Sequence, residues 1–311
     1  MKANGAIVPE LVDRIQRWIS EPPPDQLFEI TETSLAGASP RNPSQRRQEV
    51  LGERALAPSP TAPNFLKPHL FREALPRVSG STGPKRTAAA LVIPDYAVRM
   101  AILDFEEFPT GEEERTALLR FRLRKSVPFH IDEAQLAYAI QFDEPKRIEV
   151  LAVVIARPIL EEYERIFTDA GYRVGLVIPS SIATLRLCMD GASGLTLLAK
   201  AAGSTLSVLL LERGRVRLVR SLDLAGNEGE EAEREDRSIL PKLQQTLAYA
   251  EDQIGQSVSR LLLCGFGQET DSLGKLAQHE FGVPYSPVRS KFEVASRENA
   301  GLLGLLEQYA A

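Results

Sequence analysis

The sequence predicts a two-domain α/β protein, on three observations. The chain has 311 residues, 43% of them hydrophobic and 25% charged, and single cores stop growing at roughly 250–300 residues. Between positions 88 and 189, strand and helix patterns alternate, and one strand, Val150-Leu151-Ala152-Val153-Val154-Ile155, is wholly apolar. Runs of that kind belong to sheets covered on both faces. Beyond Gly191 a second unit starts, with three strands, a long helix, a further strand and two more helices.

Residues 6–20 set Ile7, Val8, Leu11, Val12, Ile15, Trp18 and Ile19 on a stripe opposite Glu10, Asp13, Arg14 and Arg17, which predicts an amphipathic helix. Pro22-Pro23-Pro24 stops it. Packing on the body, docking a partner and lying on a membrane all suit such a helix, with mixed charge disfavouring anionic lipid. Residues 27–30 read as a short strand. Residues 40–63 are polar and proline-rich, the least ordered stretch on composition, with a strand around 49–56. A short helix over 67–75 ends before Pro76. The loop at 79–86 includes Gly80-Ser-Thr-Gly83-Pro84-Lys85, which has the composition of a phosphate loop. Its spacing is wrong, Pro84 lacks an N–H, and a strand (88–93) follows it instead of a helix.

Thr110 and Glu113 have capping-box spacing. The helix they open carries Glu112, Glu113 and Glu114 at its start and Arg120, Arg122, Arg124 and Lys125 toward its end, complementing the macrodipole. Those bases equally suit a docking surface for an acidic or peptide partner. Leu118, Leu119, Leu123 and Val127 form the apolar stripe, and Pro128 ends the helix. Strands follow over 134–142 and 148–155. Pro158 opens a helix with Ile159, Leu160, Tyr163, Ile166 and Phe167 on one face and Gly171 as its cap. A strand over 173–178 and a helix over 181–189 close the first unit. In the second, strands over 195–199, 205–211 and 216–222 appear, the last two joined by a hairpin at Glu212-Arg213-Gly214. An acidic loop (227–236) precedes a long helix with Ile239, Leu240, Leu243, Leu247, Ala250 and Ile254 on one face. A strand over 258–263, a helix over 272–281 capped by Gly282, and a helix over 299–309 complete the chain.

Net charge is −5, which gives no reason to expect a nucleic-acid partner. Cys188 and Cys264 sit in apolar runs and read as buried thiols of a reducing compartment. The start of the chain lacks the apolar core of a signal peptide, and the apolar runs at 150–156 and 206–211 fall far short of the ~20 residues that cross a bilayer. A cytoplasmic protein is expected, meeting a membrane only through a partner. His69, His130 and His279 have no cysteine or acid at ligand spacing, so no metal site is expected. No Gly-x-Ser-x-Gly elbow occurs, and Glu106-Glu107 and Glu161-Glu162 read as solvated faces, so no catalytic residue is assigned.

Ile93-Pro94-Asp95 with Val98-Arg99, Phe108-Pro109, Lys125-Ser126-Val127-Pro128-Phe129 and Ala137-Tyr138 form a series between positions 91 and 140. It resembles the inserted subdomain of the PilM family, the actin-like cytoplasmic proteins of type IV pilus assembly platforms. The resemblance covers roughly 27–309 and is strongest from 91 to 187. It implies an α/β, actin-like (FtsA/PilM-type) two-domain fold: an N-terminal helix and linker (1–26) and a first domain (27–190) with a small inserted subdomain at about 95–150. A second domain (191–311) would follow, its C-terminal helix returning to the first.

In that family nucleotide lies between two hairpin phosphate loops, each with an Asp-x-Gly turn whose backbone N–H groups reach phosphate. The first falls on Glu29-Ile30-Thr31-Glu32-Thr33-Ser34-Leu35-Ala36. Ser34 and an acid, Glu29, are kept, but Thr31 replaces the glycine and Ala36 the lysine, and Glu32 adds charge that repels phosphate. In the second, Lys200 stands for the Asp and Ala202 for the glycine, followed by Gly203 and Ser204. Lys200 removes a metal-organising carboxylate, although a lysine can itself pair with phosphate. Gly265-Phe266-Gly267 resembles the adenosine-side turn and equally suits a plain strand-to-helix turn. The resemblance thus implies a degenerate nucleotide site at Ser34, Lys200, Gly203, Ser204, Gly265 and Gly267, no ATP hydrolysis, and no cofactor beyond weakly held ATP and Mg²⁺.

Implied partners are a PilN-like inner-membrane protein, through its short cytoplasmic N-terminal peptide, the pilus assembly ATPases, and further copies of this chain. The peptide surface is placed in the inserted subdomain and its junction with the first domain. Three alternatives stand beside this scaffold. One is an ATP-binding switch of the same fold using Ser34, Lys200, Gly203 and Gly265. Another is an L-type component of type II secretion, which would continue into a transmembrane helix that this sequence lacks at Ala311. A sugar kinase is least favoured, since no catalytic Asp stands in a suitable loop.

Overall fold

The computed structural model describes residues 23–79, 87–189, 193–224 and 233–310. The amphipathic helix expected at 6–20 lies outside them, as do most of the 79–86 loop and part of the acidic loop.

Three sheets organise the chain. The first has the order β3-β2-β1-β4-β8, built from β1 (Gln26–Ile30), β2 (Ser34–Ser39), β3 (Asn42–Val50), β4 (Thr87–Ile93) and β8 (Tyr172–Pro179). β1 pairs antiparallel with β2 and parallel with β4, which pairs parallel with β8. Every residue of β1 is buried, because both faces are covered. Phe28, Leu35 and Leu91 pack under α1 (Pro68–Val78) and α3 (Arg157–Thr168), with Phe71, Tyr163 and Phe167. Leu27, Ala90 and Val92 pack on the other face under α4 (Ser180–Cys188) and α7 (Ala300–Tyr309), with Leu185, Leu303 and Leu306. The C-terminal helix therefore lies on the first sheet.

The second sheet has the order β11-β10-β9-β12-β13, from β9 (Leu195–Ala202), β10 (Thr205–Glu212), β11 (Arg215–Asp223), β12 (Val258–Cys264) and β13 (Tyr285–Pro287). Arg213 (φ 48°) and Gly214 (φ 80°) make the expected β10–β11 hairpin turn, both left-handed as the strand twist demands. Leu243 and Ala250, from α5 (Glu233–Tyr249) and the five-residue π-turn that prolongs it, pack on this sheet with Leu273 and Ala277 of α6 (Thr270–Phe281).

The third sheet, β5-β7-β6, is the insert: β5 (Arg99–Phe105), β6 (Ala134–Glu144) and β7 (Arg147–Ala156), with α2 (Glu112–Leu123) across it. The insert also touches the second sheet. Gln141 mimics a strand partner: its Nε2–H donates to the Val216 carbonyl (3.0 Å) and its Oε1 accepts the Val216 N–H (2.8 Å). Glu149, 2% exposed, pairs with Arg147 (2.7 Å) and Arg217 (2.8 Å), and Arg215 lies over the Phe142 ring at 4.5 Å.

Several local expectations are corrected. Residues 40–63 are ordered by β3 and by a loop wound around Asn64, which is 0% exposed. The Asn64 Nδ2 donates to the carbonyls of Ser59 and Ala62 (2.8 Å each), and Oδ1 accepts the Ser59 N–H (3.1 Å) and the Tyr163 hydroxyl (2.9 Å). α1 runs through Pro76 to Val78, because a proline in the last turn forfeits only one intrahelical bond. Thr110 is not the cap of α2: Gly111 is, without a side-chain bond, and the helix stops at Leu123, leaving Val127 in the following loop. The bases at the end of α2, and Arg124 just past it, brace the insert. Arg120 donates to the carbonyls of Ile131 and Ala134, Arg122 lies over Phe105 (5.0 Å), and Arg124 pairs with Asp132 (3.3 Å).

Candidate functional site

The β1–β2 turn and the β9–β10 turn face each other across the cleft between the first and second sheets. In the first turn, Thr31 Oγ1 accepts the Ser34 N–H (3.0 Å) and meets the Ser34 hydroxyl (2.8 Å), and the Thr31 N–H donates to the Ser34 carbonyl (3.0 Å). No residue of this turn is left-handed, and the N–H groups of Thr31 and Ser34 are both bonded within the turn itself. The second turn holds Gly203, left-handed at φ 55°, and Ser204. Glu32 joins the two. Its Oε1 accepts both the N–H and the hydroxyl of Ser204, each at 2.6 Å. Its Oε2 forms an ion pair with Arg54 (Nε to Oε2 2.8 Å), whose Nε–H donates to the Leu56 carbonyl at 3.3 Å. A Cβ on Gly203 would lie 2.4 Å from Oε1, so the carboxylate is seated flush against the turn.

Behind this contact lies a buried charged floor. Glu29, 1% exposed, holds the Ser180 hydroxyl (2.5 Å) on Oε1 and accepts the Leu302 N–H (2.8 Å) on Oε2. Burial raises its pKa, and the opposite charge of Lys200 works against that rise. Asp95 accepts the Ser181 N–H (2.8 Å) and the Ser207 hydroxyl (2.5 Å), which ties the first sheet's helix α4 to β10. Lys200 is 1% exposed, and its Nζ has no hydrogen-bond partner among the described residues. Beside it in register is Cys264, whose thiol burial pushes up to about 12.

Of the six residues assigned from sequence, Gly203 and Ser204 form one turn and Lys200 lies in the floor beneath it. Ser34 is 1% exposed and engaged within its own turn. Gly265 and Gly267 follow β12; the Gly265 carbonyl accepts the Arg297 Nε–H at 2.7 Å. Glu32 and Arg54 were not among the candidates. The sequence signalled Glu32 as a misplaced charge, whereas Arg54 lies in a polar stretch with nothing to mark it.

A second concavity, a groove of about 420 Å³, lies where the insert meets the first sheet. β8 and β6, each the edge strand of its sheet, line it with residues 174–177 and with Gln135 and Ala137. Ile93, Val98, Val153 and Ile155 make it apolar, and α3 adds Arg157, Leu160, Glu161 and Glu164. The register of β4 on β8 skips one residue, from Val174 to Leu176, so Gly175 is a bulge, and a Cβ there would meet nothing within 4 Å. Burial and then the neighbouring Glu161 raise the pKa of Glu164, while Arg157 lowers it.

No protein-family model and no curated protein matches the sequence. Solved structures do match the fold. A chain of a PilM–PilN type IV pilus biogenesis complex superposes with a TM-score of 0.74 at 17% identity, covering 92% of this chain and 98% of that one. A Bacteroides thetaiotaomicron protein with an actin-like ATPase fold and unknown function gives 0.52 at 13% identity, covering 91% and 95%. The cytoplasmic domain of EpsL, an inner-membrane component of the Vibrio cholerae type II secretion system, gives 0.48 at 12% identity, covering 92% and 93%. The architecture is the two-domain actin-like fold.

Proposed function

We propose that this protein is a cytoplasmic scaffold of a type IV pilus or related secretion platform, and that its working surface is the groove beside the insert. The occupant is the extended cytoplasmic peptide of a PilN-like inner-membrane protein. The observation that carries this reading is the groove itself: two strand edges, an apolar wall and a glycine bulge suit an added extended segment. Glu161 and Glu164 favour a basic residue in that segment, since a cation there relieves two neighbouring acids. The likeness to a chain of a PilM–PilN complex supports the class of partner. In this reading the membrane is reached through that partner; among the described residues no helix is long and apolar enough to cross a membrane.

The protein acts without hydrolysing ATP. Glu32 takes the donors that a phosphate would use at the β9–β10 turn, and Lys200 stands where a metal-organising acid is needed, so these residues do not fit nucleotide with Mg²⁺. Calorimetric titration with ATP and Mg²⁺ is expected to be silent at millimolar nucleotide, and saturable micromolar binding would refute this.

The test of the groove uses a labelled peptide with the sequence of the cytoplasmic N-terminus of a PilN-like protein. Saturable binding is expected, weakened about tenfold or more by Gly175→Leu. That side chain enters open space, so the melting temperature should stay unchanged. Binding should also tighten as pH rises and Glu164, held protonated to higher pH than an ordinary carboxyl, gives up its proton. A peptide that binds the variant as well as the parent places its site elsewhere.

A further inference from the structure

The donors gathered around the Glu32 carboxylate are those of an anion site. Beside the left-handed Gly203, one backbone N–H, one hydroxyl and one guanidinium converge on two oxygens within 2.8 Å. Successive N–H groups beside a left-handed residue make an anion-binding concavity, and an added arginine makes it a site for a phosphate-like oxyanion. Here the anion comes from the same chain, 172 residues away in sequence and from the opposite side of the cleft. The Glu32 backbone is itself fixed, its carbonyl accepting the N–H groups of Ala55 (2.8 Å) and Leu56 (3.2 Å). The cation is internal as well: Lys200 Nζ is buried with no hydrogen-bond partner among the described residues, within electrostatic reach of Glu29.

We infer that the β9–β10 turn with Arg54 is an oxyanion site occupied in cis by Glu32, which holds the cleft closed without any bound ligand. In a ligand-operated cleft the anion arrives from solution and its departure lets the two sides part. In this chain the anion cannot leave. At a contact between two sheets, a tethered carboxylate has a far higher effective concentration than a free phosphate, so it excludes one. The arrangement does not depend on which partner fills the groove, and the groove experiment can fail without touching it.

The test is to vacate the site and supply an anion. Pyrophosphate is titrated by calorimetry into the full chain and into Glu32→Ala. The parent should give no saturable signal, whereas the variant should bind pyrophosphate saturably and regain melting temperature on adding it. Equal behaviour of the two proteins, whether both bind or neither does, overturns the inference. Amide exchange at Ser204 provides a readout that does not need a ligand. Its N–H is held by Glu32, so exchange should speed up about tenfold or more in Glu32→Ala. If that variant does not fold, Arg54→Ala removes the second anchor of the carboxylate while leaving Glu32 in place. Faster Ser204 exchange is expected there too, and an unchanged rate rejects the in-cis site.

Discussion

Glu29 was legible in the sequence as an acid in the first phosphate loop, but the job it does was not. Its two oxygens are spent on Ser180 and on the N–H of Leu302, the latter 273 residues away at the start of α7. Residue type and local spacing carry no trace of a contact at that separation. The burial that raises its pKa gives a sign to the pH dependence. The folded state binds the proton more readily than the unfolded chain does. Its contribution is therefore full below the ordinary value of 4.5 and is lost as pH rises through the raised one, with Lys200 reducing the effect. A glutamine can keep both contacts, donating to the Ser180 hydroxyl and accepting from Leu302. Glu29→Gln should thus fold, and its melting temperature should fall less steeply than the parent's as pH rises above the ordinary 4.5. Parallel profiles in scanning calorimetry would show that Glu29 does not titrate with folding.

Elements with continuous apolar character or clear helical periodicity were readable: β4, β7, β10, α3 and α4 all fall within two residues of where pattern and caps place them, and β9 starts where expected but runs three residues further. The misses share a cause. β3 is an edge strand whose residues, among them Arg46, Arg47 and Gln48, are exposed or half-buried, so hydrophobic pattern cannot announce it. The loop after it has no periodicity at all, and its order rests on backbone bonds, among them those of Ala55 and Leu56 to the Glu32 carbonyl, and on one buried amide. Removing that amide leaves the Ser59 N–H, two carbonyls and the Tyr163 hydroxyl without their partner. Unsatisfied buried groups cost roughly 1–3 kcal/mol each and are not additive, so Asn64→Ala should destabilise by about 2–4 kcal/mol. Urea unfolding measures this directly, and a loss below about 0.5 kcal/mol would mean that water or a rearranged loop replaces the amide. α7 makes a different demand. A Cβ on Gly304 would stand 2.0 Å from the Ala183 carbonyl oxygen, so no larger residue fits where α7 lies on α4.

At the scale of the molecule, two of the contacts that join the sheets are foretold by no local pattern. On the cleft side Glu32 grips Ser204, and on the insert side Glu149 and Gln141 grip Arg217 and Val216. The insert also forms one wall of the groove, so a peptide bound there presses on an element already fastened to the second sheet. Whether the sheets move apart depends on both contacts, because they hold the same relative placement in parallel. When two restraints act in parallel, losing either leaves the other in place, and only the double loss releases the motion. Loss of the cleft contact (Glu32→Ala) or of the insert contact (Gln141→Ala with Glu149→Ala) should therefore each, as a single variant, leave the radius of gyration near the roughly 19–20 Å of a compact chain of this length, while the double variant, lacking both contacts, expands by about 1 Å or more. Small-angle scattering on the three proteins decides it. Expansion in either single variant would make that contact the sole clasp, and a double variant as compact as the parent would place the restraint in the Asp95–Ser207 bond across the cleft floor.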